Sequence, residues 1–150
     1  MITIEINDTD ITGALARAVA ALTDTAPLMA DIAEYLRTST VKRFGDGIAP
    51  DGSPWAANSP VTLARKTDPR PLFGPNNRLN REFGVDSGAD FAEVSSVLPY
   101  AAMMQFGGAK ARFPHLWGNI PARPFFGIAE EDRSNILDIV AEYLEAVLQP

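Results

Sequence analysis

Apolar and polar positions alternate with period two at the start of the chain, where Ile2, Ile4 and Ile6 flank Thr3 and Glu5. That alternation predicts a half-buried strand over 2–6. Asn7, Asp8 and Asp10 then supply turn and N-cap chemistry, and the period changes. An Ala-rich helix is expected over 11–22, with Leu15, Val19 and Leu22 on one face and a break at Thr23, Asp24 and Thr25. Pro27 suits the first turn of a second helix, where its missing N–H costs nothing. Leu28, Ile32, Leu36 and Val41 carry the apolar stripe of that helix toward Phe44. Lys42 and Arg43 complement the negative end of its dipole, and Gly45 is the expected stop.

Residues 45–80 read as a long connection rich in Gly, Pro, Asn and Asp, of the kind that is usually functional or mobile. Pro50, Asp51 and Gly52 form a turn signal, and Trp55 offers the loop one large apolar anchor. A short helix is expected over 61–66. Phe83 and Val85 alternate before Asp86, Ser87 and Gly88, and Phe91, Val94 and Val97 follow, which predicts a hairpin with its turn near Ser87 and Gly88. Residues 100–106 read as a strand or a short helix, 107–120 as a loop, and 122–126 as an edge strand, where Pro is tolerated. Glu130, Glu131 and Asp132 open a last helix, with Ile136, Val140, Tyr143, Leu144 and Val147 as its buried stripe. The layout is α+β: a small, mostly antiparallel sheet packed with two N-terminal helices and one C-terminal helix around a long central loop. A single domain over 1–150 is expected from the length.

Composition narrows the function. Cysteine is absent, which excludes disulfides, thiolate metal sites and a Cys nucleophile. The first residues show no basic region followed by an apolar core, so no signal peptide is expected, and no stretch is long and apolar enough to predict a membrane span. The formal net charge of −6 argues against nucleic-acid binding by the whole surface. The charge is uneven, however: Arg65, Lys66, Arg70, Arg78 and Arg81 stand against Asp68 alone over 62–81. This segment is either a solvated loop or a positive patch for an acidic partner or DNA.

Catalytic chemistry finds little footing. His115 is the one histidine, it lies in a loop rich in Gly and Pro, and no nucleotide-binding, nucleophile-elbow or metal-ligating motif accompanies it. The most distinctive phrases are 100–108, Tyr-Ala-Ala-Met-Met-Gln-Phe-Gly-Gly, and 120–127, Ile-Pro-Ala-Arg-Pro-Phe-Phe-Gly. Arg123 is stiffened by Pro121 and Pro124, which favours engagement of a carboxylate or a backbone oxygen, in a partner or within its own domain. Phe125 and Phe126 are either both core or, facing opposite ways on a strand, leave one of the pair as a candidate for burial against a neighbouring subunit. Gln105 could order the following Gly-Gly turn or lie exposed.

The order of these phrases resembles the Mu-like phage virion morphogenesis family, the tail-completion proteins of long-tailed phages and prophages. The likeness runs through Arg43-Phe44, Asp51, Gly52 and Trp55, and then Thr62 with Lys66. It continues through Tyr100, Ala101, Gln105, Phe106 and Gly107 to Pro121, Ala122, Arg123, Pro124, Phe125 and Phe126. Two features depart from the family: Met104 stands where members commonly carry His, and 71–79 is looser than the expected phrase rich in Leu and Gly. The resemblance implies no catalysis and no cofactor. It implies a structural part acting in tail completion and head–tail joining, with a head–tail connector or minor tail component as the alternative. Partners would be other tail or neck proteins and further copies of the chain in the virion, assembled in the host cytoplasm. A nucleic-acid-binding module using 62–81 is the reading from a different class.

Overall fold

The computed structural model describes residues 9–149, so the strand expected over 2–6 lies outside the described residues. Helix α1 spans Thr9–Thr23 and α2 spans Ala26–Asp46, with Pro27 in its first turn. The stripe of α2 runs through Leu28, Ile32, Thr40, Arg43 and Phe44, which are buried, while Val41 lies one position off it and is exposed. The helix also continues past Gly45. Gly47 ends it, adopting a left-handed φ of 65° and donating its N–H to Arg43 O. That conformation suits a residue without a Cβ, which decides between the two glycines.

The central connection contains one short helix, α3 (Pro60–Leu63), capped by the Ser59 hydroxyl, which accepts from Thr62 N–H. Strands β1 (Phe83–Ser87) and β2 (Ala92–Ser96) form the antiparallel hairpin, with Val85 opposite Val94. Gly88 N–H donates to Phe91 O across the turn. Residues 101–106 form a helix, α4 (Ala101–Phe106), and α5 covers Glu130–Leu148. Among the described residues the sheet has two strands only, and 122–126 is not a third. The hairpin and α5 pack on α2, and α1 packs on α5. The architecture is α+β, as the pattern predicted. No helix among the described residues is long and apolar enough to cross a membrane.

Phe44 is the hub of the core. Its ring lies 5.3 Å from Trp55, 5.2 Å from Phe125, 5.9 Å from Phe83 and 6.5 Å from Phe73, centroid to centroid. Ala49, Leu79, Leu98 and Ala101 complete the buried cluster, with Met104 and Phe126 packed against it. These aromatic pairs come from four separate stretches of chain, so the long loop is folded onto the core. The turn signal at 50–52 explains how. Asp51 Oδ1 accepts from Ser53 N–H at 2.9 Å, Gly52 takes φ 86°, and the small hairpin so formed places Trp55 N–H on Gly47 O at 2.8 Å.

Candidate functional site

The two distinctive phrases are joined to each other inside the chain. Gln105, on α4, accepts at Oε1 from the Phe125 and Phe126 N–H groups at 3.0 and 2.9 Å, and its Nε2 donates to Phe126 O at 3.0 Å. Arg123 N–H donates to Met104 O at 2.9 Å. The Arg123 guanidinium reaches across to the central loop, donating from Nε to Ala56 O at 2.7 Å and from Nη2 to Ala57 O at 3.0 Å. Trp55 Nε1 donates to Pro124 O at 2.8 Å, and Arg43 Nη1 donates to Phe125 O. The segment 123–126 therefore behaves as a strap whose backbone groups are satisfied by side chains from distant residues. A strand would pair them with a neighbouring strand, which is why the edge-strand expectation fails here.

This geometry decides between the alternatives left open for Phe125, Phe126 and Arg123 and corrects the expectation for Gln105. Phe125 and Phe126 do not point to opposite faces, since their rings lie 4.7 Å apart in the same aromatic cluster and Phe125 is fully buried. Arg123 engages backbone oxygens of its own chain. Gln105 holds the strap and not the Gly107-Gly108 turn. That turn is set by Gly107 itself, with φ 70° and no room for a Cβ, which would sit 2.6 Å from Ala122 N. Gly108 and Ile120 then exchange both backbone hydrogen bonds and close the loop between them.

A buried charge pair fixes the strap to the last helix. Arg43 Nη2 lies 2.8 Å from Asp132 Oδ2, and both side chains are almost completely buried. Asp132 also accepts from Tyr35 Oη at 2.9 Å, from Ser39 Oγ at 2.5 Å and from Ala129 N–H at 2.8 Å. Burial pushes the Asp132 carboxyl up, but the bonds from Ser39, Ala129 N–H and Tyr35 and the charge of Arg43 together hold it below the ordinary range. In the sequence Arg43 and Asp132 stand as dipole partners of separate helices, and their pairing is not evident from those positions. A signal was present: Arg43 precedes Phe44 on the apolar stripe of α2, and a cation on a buried face requires a counter-charge.

Beside the strap lies a groove of about 680 Å³ between the central loop, α4 and residues 119–123. Thr62, Lys66, Tyr100, Pro121 and Arg123 all line it. Its floor is largely apolar, with Leu72, Phe73, Leu79 and Met104. Leu72 and Asn77 on its wall hold positive φ of 66° and 49°. Lys66 Nζ donates to Arg70 O at 2.7 Å and has no acidic partner in hydrogen-bond reach among the described residues. Burial pushes the Lys66 ammonium down, with nearby Asp68 the opposing influence. Elsewhere in the basic segment Arg70 pairs with Asp68 and Arg78 with Glu82. Asp68 is drawn down to about 2 by its hydrogen bonds from Arg70.

Other phrase residues face outward. Phe106 is 77% exposed, Tyr100 is 43% exposed, and Trp117, in the loop that follows, is wholly exposed. Pro121 and Ala122 are exposed, as are Asp51 and Gly52 at their turn. His115 is exposed and packs edge-on against Phe113.

The model of the phage virion morphogenesis family matches residues 6–145. The Mu-like prophage FluMu G protein 2 of Haemophilus influenzae is 32% identical, over 99% of this chain and 100% of its own length. A second relative, the "Putative capsid assembly protein G" of Escherichia phage Mu, is 32% identical over 79% of this chain and 78% of its own length. No solved structure matches the chain.

Proposed function

Because the chain belongs to the phage virion morphogenesis family, we propose that it completes the phage tail and joins it to the head, acting over 1–150 as one domain and assembling as a ring. The observation that carries this reading is the division of labour between the two phrases. Their inward residues lock a strap onto the core, their outward residues leave Phe106 and Tyr100 in water, and Trp117 in the loop between them is exposed as well. Large exposed aromatics gathered at a surface suit burial against another protein. A closed ring needs two different faces per subunit related by a rotation that closes. The work is done by fit, without a reaction and without a cofactor, in the virion and in the host cytoplasm during assembly.

A connector role on the head side draws on the same outward residues. The nucleic-acid reading is weakened by the pairing of Arg70 and Arg78 within their own loop, which leaves less free charge for phosphates. Electron microscopy of lysates from a phage lacking the gene tests the reading. Unjoined heads and tails with aberrant ends are expected, and a normal titre of complete particles would remove it.

A further inference from the structure

We propose that the groove beside Lys66 receives the outer face of α5 from a second copy of this chain, so that successive subunits join head to tail. This rests on the assembly reading above and replaces Phe125, which is fully buried, and Phe126, which is half-buried against it, as the contact between copies.

The groove combines an apolar floor with cations that lack acids. Lys66 and Arg123 both line it, and their hydrogen bonds go to backbone carbonyls only. Burial pushes both groups down, and on Lys66 the nearby Asp68 offsets this only in part. Arg78, also on the wall, keeps an exposed partner in Glu82. What the groove lacks is a carboxylate beside an apolar ridge.

The outer face of α5 supplies that combination. Asp138, Glu142 and Glu145 recur at helical spacing and are exposed. Leu137, 67% exposed, and Ala141 form a ridge beside them, continued by Leu148. α5 spends its other face on α1 and α2, so this ridge has no partner within the described residues. Laid in the groove, Leu137 would meet the apolar floor while the carboxylates approach Lys66 and Arg78. One face is acidic and the other basic, so the contact is heterologous, as ring closure requires. Opposite charges of this kind set register and partner choice.

The test is a charge swap in the full-length chain, read as self-association by sedimentation at low salt and high protein concentration. Circular dichroism melts of each variant establish that it folds. Asp138→Lys with Glu142→Lys should weaken association by about tenfold or more, and so should Lys66→Glu with Arg78→Glu, each about the effect of one lost charge contact. Mixing the two variants should restore it, because each altered face then meets a complementary one. Leu137→Ser should weaken it without changing any charge.

A parent chain that stays monomeric overturns the assignment, as does a mixture that fails to recover. Loss from the groove variant alone would mean that the groove takes some other surface, and it also overturns the proposal. Retention of a short DNA duplex by the groove without self-association does the same. These outcomes leave the assembly reading standing, and only intact particles from the gene deletion remove that.

Discussion

Asp132 shows how one carboxylate can organise three segments. Asp132→Ala would leave the Arg43 guanidinium buried without its counter-charge, and denaturant unfolding should record a loss of about 3–5 kcal/mol. An unchanged midpoint would mean that Arg43 reaches water. The carboxyl is held below its ordinary 3.8, so the folded chain takes up that proton less readily than the unfolded one. Its contribution is therefore complete above about pH 4 and is lost as pH falls through the lowered folded value. Thermal melts from about pH 7 to about pH 3 should show a shallower acid limb in Asp132→Asn than in the parent. Equal limbs would contradict the pairing.

At the scale of elements, periodicity made α1, α2, the hairpin and α5 legible as elements. Among the described residues, however, only α2 buries its apolar stripe deeply, and Val19 and Leu22 of α1 and Val85 of β1 are exposed against the expectation. The boundary between α2 and its loop was misread by two residues, since Gly45 and Gly47 look alike until the left-handed φ selects one. The strap was not legible. It is short enough for an edge strand, where Pro is tolerated, and the side chains that satisfy its backbone come from Arg43, Trp55 and Gln105. No local pattern encodes hydrogen bonds spanning 20 to 82 positions. α4, at six residues, was too short to declare its period. Gly107 governs where α4 gives way to the following loop. Gly107→Ala should destabilise the chain by more than about 1 kcal/mol, since both the φ and the approach of Ala122 forbid a Cβ. Tolerance of alanine there, with the melting temperature unmoved, would show that the backbone relaxes.

For the whole molecule, inward residues of the phrases and the exposed residues in and between them make separable demands. Trp117→Ala removes a fully exposed ring and should leave stability within about 0.5 kcal/mol while lowering the yield of complete particles. Normal particle yield would take Trp117 out of the contact set. Resemblance to the family was legible from phrase order, but the sequence could not separate residues that build the subunit from residues that meet its neighbours. Burial and hydrogen bonding make that separation, and Gln105 is its sharpest case. The most direct measurement is the thermal unfolding of purified Gln105→Ala. Loss of three hydrogen bonds to the strap should cost about 2–3 kcal/mol, lowering the midpoint by roughly 5–10 °C. A midpoint equal to the parent's, with assembly nonetheless lost, would mean that Gln105 serves a partner and that the strap is held by other means.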